Sequence, residues 1–447
     1  MQWAELCREM IFTMYLKRVW IRKFIIIFGW LLVWQAISML VGNEILLVGP
    51  LEAVGTLIGK LKEISFWQAC LGSVLRISLG FLLGLAAGIL LAVLSYRFQI
   101  MEEILSPVMT LMKAVPVASF VVLFLIWWSS AYLALVISFC ITLPNLYVNT
   151  LAGMKNTDKK LLEMARVFKM AKKDSFFYIY RPAIKPFWDS AVAIAAGMSW
   201  KSGVAAEVIG QPDFAIGEQL YMSKIYLDTA GVLAWTVVVI LLSMGFERLI
   251  KGLSNSFFAW QPSCKGIVKN GKSRATLELQ HVSKKYYEQK ILEEFSAEYC
   301  HGQSYTFSSP SGSGKTTLFR LIAGLENPDA GNIDSQGQSV SYLFQEDRLC
   351  EDYSAVKNVE MITGNEPEAK KALLCLLAEE DIHKPCKELS GGMKRRVAIV
   401  RAIVAQADIL LLDEPYNGLD EANREKVAKY IADNTADSIV LTATHIQ

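Results

Sequence analysis

Up to about residue 260 the chain is built from long apolar runs. Beyond residue 275 short apolar stretches alternate with helical-period ones. Six runs in the first part are close to the length that crosses a bilayer: 24–41, 70–94, 107–128, 131–149, 187–208 and 229–246. The first lacks a small-residue cleavage site and is read as a retained span rather than a leader. An even number of spans puts both ends on one side. The segment 155–185 carries Lys155, Lys159, Lys160, Arg166, Lys169, Lys172, Lys173, Arg181 and Lys185, and Arg8, Lys17, Arg18, Arg22 and Lys23 precede the first span. Segments 42–69 and 209–228 hold only Lys60, Lys62 and Lys224. Basic loops stay in the cytosol, so both termini and 155–185 are expected there, in a multi-pass protein of the cytoplasmic (inner) membrane.

Within the spans, Gly80, Gly84 and Gly88 recur four apart and predict a small-residue face where helices approach closely. Arg76 and Lys201 fall in or near spans and are read as paired or snorkelling as readily as lining a pathway. Pro116 and Pro144 are expected to kink their helices. Segment 161–182 alternates apolar and basic residues at near-helical spacing, which suits a short amphipathic helix or a plain basic loop.

Composition sharpens this division. The chain is 53% hydrophobic with a mean hydropathy of +0.32, too apolar for a purely soluble protein of 447 residues. Residues 1–262 hold 23 basic against 16 acidic side chains; the rest hold 22 against 27. The picture is a membrane half of helices joined to a soluble α/β half: 1–260 as a six-span all-α domain, 261–274 as a linker with Pro262, Gly266 and Gly271, and 275–447 as a nucleotide-binding domain. The eight cysteines show no C-x-x-C pair and are read as reduced structural thiols. No nucleic-acid partner is expected.

The chemistry centres on Ser309-Pro310-Ser311-Gly312-Ser313-Gly314-Lys315-Thr316-Thr317, between a β-prone run ending at Phe307 and a helical run from Leu318. Strand, glycine-rich turn and helix form a phosphate cradle: backbone N–H groups wrap the phosphates of ATP, Lys315 reaches the outer ones, and Thr316 ligates Mg²⁺. Ser309 stands where the consensus has Gly, so weakened nucleotide binding is expected if that position needs positive φ.

Further residues give the pattern a family. Glu163-Met164-Ala165 followed by Ile179-Tyr180-Arg181-Pro182 resembles the E-A-A loop of permease subunits in bacterial ABC importers, most similar to the nitrate/sulfonate/taurine group. Lys169 stands where that family has Gly, and Arg181 where it often has Leu. The resemblance implies that this loop docks on the ATPase. Lys113-Ala114-Val115-Pro116 and Ala205-Ala206-Glu207-Val208-Ile209-Gly210 fit the same pattern, with Glu207 read as structural.

The second half resembles ABC ATPases. The resemblance implies a P-loop α/β domain with a helical subdomain at about 350–388. Tyr286 (or its neighbour Tyr287) would stack on adenine, and Gln345 would be the Q-loop glutamine near Mg²⁺. Ser390, Gly391 and Gly392, with Met393 for Gln, would be the signature that meets the γ-phosphate held by the other subunit. Asp413 would hold Mg²⁺ and Glu414 would polarise the attacking water. Asn417-Gly418-Leu419-Asp420 fits the D-loop, and His445 the switch histidine, with Ile446 for Asp. Relatives continue past Gln447, so weaker support of the last strand is expected.

The implied function is ATP-driven uptake of a small solute: an anion such as a sulfonate, or a vitamin precursor. The implied partners are a second copy of the chain, an extracytoplasmic solute-binding protein and membrane lipid. An exporter half-transporter and a non-transporting signalling protein are the alternatives. The spans lack the long cytosolic extensions of the former, and the external loops are too short for the sensor of the latter.

Overall fold

The computed structural model describes residues 21–22, 25–43, 45–267, 276–287, 289–310 and 312–444. Basic residues Arg8, Lys17, Arg18 and Lys23 lie outside these. The chain parts into two units: Met1–Ala152 with Phe187–Phe257, and Gly153–Pro186 with Phe258–Gln447. The basic segment therefore groups with residues 258–447, not with the spans that flank it in sequence.

In the first unit and at its edge, Ile64–Arg97, Ser130–Lys155, Lys172–Gly210 and Thr229–Ala259 are long and apolar enough to cross a membrane. The expected single span over 107–128 is instead a pair of helices, Gln99–Ala114 and Val117–Trp127, bent by 101°. The break sits at Val115-Pro116, both extended. Proline lacks the N–H the helix needs and bars its predecessor from helical ψ. Pro144, by contrast, lies inside the unbroken Leu133–Lys155 helix. Among the described residues, Ile25–Val41 is a shorter apolar helix. Among the described residues, four helices meet the length and apolarity criterion, or five with the bent pair taken as one, against six expected.

The glycine face does what its spacing suggests. A Cβ on Gly80 would stand 2.1 Å from the Leu135 carbonyl oxygen, one on Gly84 2.8 Å from Thr142 Cβ, and one on Gly88 2.9 Å from Leu146 Cβ. Ile64–Arg97 and Leu133–Lys155 thus touch backbone to backbone. Nearby, the fully buried Glu207 accepts from Ser73 Oγ (2.6 Å) and the Gly217 N–H (3.3 Å) and pairs with Arg76 (3.4 Å). Arg76 also donates to the carbonyls of Asp213 (2.6 Å) and Phe214 (3.3 Å). A carboxylate so engaged by its own chain is structural, and Arg76 is its partner.

The second unit has seven strands: β1 (Leu277–Tyr286), β2 (Gln289–Tyr299), β3 (Ser304–Ser308), β4 (Ala330–Asp334), β5 (Val340–Leu343), β6 (Ile409–Asp413) and β7 (Ile439–Thr444). An antiparallel sheet runs β2-β1-β4 and a parallel one β3-β7-β6-β5. Every residue of β6 is buried, as an apolar central parallel strand must be. The loops leaving the C-terminal ends of β3 and β6 carry the candidate site.

The basic segment folds as a short helix, Lys159–Val167, capped by Asp158, whose carboxylate accepts from the Lys160 N–H at 2.8 Å. Its C-terminus is a Schellman turn: Met170 N–H reaches Ala165 O (2.9 Å) and Lys169 N–H reaches Arg166 O (3.1 Å). That turn needs a left-handed residue, and Lys169 takes it at φ 49°. Met164, Ala165, Val167 and Phe168 enter the core of the second unit. Residues 261–267, the described part of the expected linker 261–274, are held as well, with Trp260 just before them. Arg181 donates to the Trp260 carbonyl, Tyr178 to the Pro262 carbonyl, and the Ile267 N–H to Ile362 O at 2.9 Å.

Candidate functional site

The phosphate loop follows β3 and leads into the helix Lys315–Ile322. Gly312 (φ 85°) and Gly314 (φ 86°) carry the left-handed turns. At Gly314 a side chain would also meet Ile291, 2.9 Å from the Cβ position. Ser309 is not among the positive-φ residues, so the expected strain at this departure from consensus does not arise. Its hydroxyl instead ties the loop together, 2.6 Å from Ser313 Oγ. The Lys315 ammonium donates to the Ser309 and Pro310 carbonyls, the latter at 3.2 Å, so it lies over the loop it serves. Ser311 and His445 lie outside the described residues.

β6 delivers the acids. Asp413 accepts from Thr316 Oγ1 (2.9 Å) and from the Tyr342 hydroxyl (3.2 Å). Burial pushes its carboxyl up, and these two hydrogen bonds oppose that. The hydroxyl and the carboxylate expected to bind Mg²⁺ are thus neighbours. Two hard oxygen donors of this kind suit that ion. Among the described residues no cluster of three His, Cys, Asp or Glu offers an all-protein metal cage.

Glu414 leaves the strand with φ 51°, its N–H bonded to Ala443 O at 3.0 Å. One carboxylate oxygen accepts from Gln345 Nε2 and the other from Asn417 Nδ2, each at 3.2 Å. The predicted base, Q-loop glutamine and D-loop asparagine therefore meet. Ser390 caps the helix Gly391–Val404, its hydroxyl accepting from the Met393 N–H at 3.3 Å. Gly392 stands close enough to Gly418 that a Cβ would lie 3.3 Å from its carbonyl. Tyr286 is the less exposed member of its pair, while Tyr287 is fully exposed.

Sequence reasoning missed the residues that lock these pieces together. Arg395, buried on the signature helix, donates to the carbonyls of Phe344 (2.7 Å), Gln345 (3.2 Å), Asp413 (2.5 Å) and Glu414 (2.8 Å). Six residues on, Arg401 holds the carbonyls of Asp347 and Arg348, each at 2.8 Å. Arg395 and Arg401, on either side of the apolar run 397–400 of that helix, were the available signal. Glu163 was seen as a motif letter only. It accepts from Arg320 (2.8 and 3.1 Å) and from Arg348 (2.7 Å), and the Arg320 bonds in particular hold its carboxyl below the usual range. None of the seven described cysteines forms a disulfide, and burial pushes the Cys350 and Cys386 thiols up to about 12.

Residues 292–417 match the family described as ABC transporter, and residues 84–257 the binding-protein-dependent transport system inner membrane component. The aliphatic sulfonates import ATP-binding protein SsuB 1 of Rhodococcus jostii (strain RHA1) is 36% identical over 178 residues, covering 38% of this chain and 72% of that protein. The sulfate/thiosulfate import ATP-binding protein CysA of Pseudomonas aeruginosa is 33% identical over 179 residues. That match covers 35% of this chain and about half, 54%, of the relative. A solved structure, a putative ABC transporter ATP-binding protein from Pyrococcus furiosus, is 26% identical and covers 39% of this chain and 92% of its own, with a TM-score of 0.36. The chain belongs to the ABC transporters, an importer-type permease and its transport ATPase carried on one polypeptide.

Proposed function

We propose that this chain is half of a dimeric importer that takes up a small solute across the cytoplasmic membrane, with its ATPase on the cytosolic side. The observation that carries the reading is the Thr316–Asp413 bond at 2.9 Å, with Glu414 next in the chain and held at both carboxylate oxygens. Thr316 and Asp413 would hold Mg²⁺, with Gln345 at its edge; when bound, that ion neutralises charge between the outer phosphates. Glu414 takes the proton of the attacking water, its plane fixed by Gln345 and Asn417. Lys315 and the N–H groups of Gly312, Ser313, Gly314 and Thr316 bind phosphate, with Ser311 and Thr317 beside them, and Tyr286 stacks on the base. Ser390, Gly391 and Gly392 complete the site of the partner copy, and His445 senses the γ-phosphate bound at its own chain's phosphate loop.

Closure of two such sites would move the Lys159–Val167 helix, because Glu163 grips both the helix that follows the phosphate loop and the segment that follows Gln345. Substrate choice would rest with an external solute-binding protein. Relatives named for sulfonate and sulfate/thiosulfate import support an anion such as a sulfonate, while others are named for Fe(3+) ions import; a vitamin precursor is the second choice.

The chemistry is tested with purified chain in lipid. Glu414→Gln should retain ATP binding and lose hydrolysis by roughly 10²–10⁴-fold; hydrolysis at the parent rate refutes the role given to Glu414. The transport reading is tested by isolating the complex in mild detergent and identifying the co-purifying protein and its ligand by mass spectrometry. A receptor whose loading leaves ATP consumption unchanged would overturn it.

A further inference from the structure

The nucleotide's base edge and the docked basic segment are joined by one unbroken line of side chains. Tyr286 donates its hydroxyl to Glu326. The other oxygen of Glu326 accepts from Arg320 Nε at 2.5 Å. The two terminal nitrogens of Arg320 hold the carboxylate of Glu163 at 2.8 and 3.1 Å. Four residues from four places in the chain thus share three hydrogen-bonded contacts. Arg320 lies on the helix that starts at Lys315, so the element that receives phosphate also carries the middle of the line.

The geometry has a physical consequence. A tyrosine 39% exposed at the end of a strand would ordinarily sample several rotamers. Here its ring is anchored at the hydroxyl by a carboxylate that is itself oriented by a guanidinium fork. The three groups are part-buried, so their charge-assisted bonds are worth more than surface pairs. Glu326 cannot satisfy Tyr286 and Arg320 equally well if Arg320 shifts with Glu163. The position of the ring and the seating of the segment are therefore linked.

We propose that Glu326 is a positioning residue that couples the base-stacking tyrosine to the permease-derived segment through Arg320 and Glu163. This rests on the nucleotide-site reading above. Glu326 touches neither phosphate nor the reacting water; it sets where the base is received and lets that edge report on docking.

The test uses the full chain in lipid nanodiscs, with dissociation constants for ATP and for inorganic tripolyphosphate measured by calorimetry. Glu326→Gln should weaken ATP about three- to ten-fold and leave tripolyphosphate within two-fold, because only ATP has a base. A uniform loss for both, or none for either, overturns the proposal. Tyr286→Phe keeps the ring and removes the anchor, so it should give the same selective loss without threatening the fold. Glu163→Gln combined with Tyr286→Phe should then change ATP affinity by a factor at least two-fold different from the product of the single effects. Strict multiplicativity overturns the coupling. If the parent protein binds neither compound, the nucleotide-site reading fails as well. If the parent binds both and only the variants behave alike, the positioning role alone fails.

Discussion

Removing the charge of Glu163 should loosen the docked basic helix far more than an ordinary surface pair would allow. The carboxylate serves three guanidinium nitrogens at 2.7–3.1 Å, with side-chain exposures of 27% for Glu163, 23% for Arg320 and 10% for Arg348. Breaking a fully buried pair costs about 3–5 kcal/mol, because the orphaned charge stays desolvated. An exposed pair is worth at most about 1 kcal/mol. With a quarter of Glu163 in solvent and Arg348 nearly enclosed, Glu163→Gln should cost about 2–3 kcal/mol of docking. That is roughly a 30- to 150-fold rise in the population of the released segment. Hydrogen exchange over Lys159–Val167 reads it directly. Its amides should exchange faster by that factor in the variant, while those of β6, in the core, should not change. Equal exchange in the helix within two-fold would refute the reasoning. The pH dependence has a definite sign. The folded-state pKa of Glu163 is lowered, chiefly by Arg320, so its contribution is complete above the ordinary glutamate range. It is lost as pH falls through the lowered value. Acid should therefore mimic the variant in the parent and do little more to the variant itself.

Two backbone predictions follow from φ. Lys169→Gly should be neutral or raise thermal stability by up to about 1 kcal/mol, since the Schellman turn already demands the left-handed region at φ 49°. Lys169→Val should lower it, and the reverse order in a melting series would contradict the turn. Ser309→Gly should not tighten ATP binding. No positive φ is relieved there, and the bond to Ser313 Oγ is lost, so calorimetry should give an unchanged or weaker affinity. A marked gain would show that the loop is strained at Ser309 after all.

The residue order alone determined what depends on neighbours in the chain. The phosphate loop, the apolar strand ending in Asp413 and Glu414, the capped signature helix and the glycine face at Gly80, Gly84 and Gly88 each need only local spacing to be recognised. The basic segment was legible as a motif for the same reason. Tertiary structure decided everything that depends on which distant partner arrives. The presence of Pro116 did not say that its helix would turn through 101° rather than bend slightly. Glu207 acquired its partners from positions more than 130 residues earlier, Ser73 and Arg76. Arg395 became the clasp of four carbonyls because the Q-loop and β6 converge on it. Glu326 was a polar residue after a helix until Tyr286 and Arg320 closed on it from either side. A buried charge is specified by its counter-charge, and the counter-charge is brought by the fold.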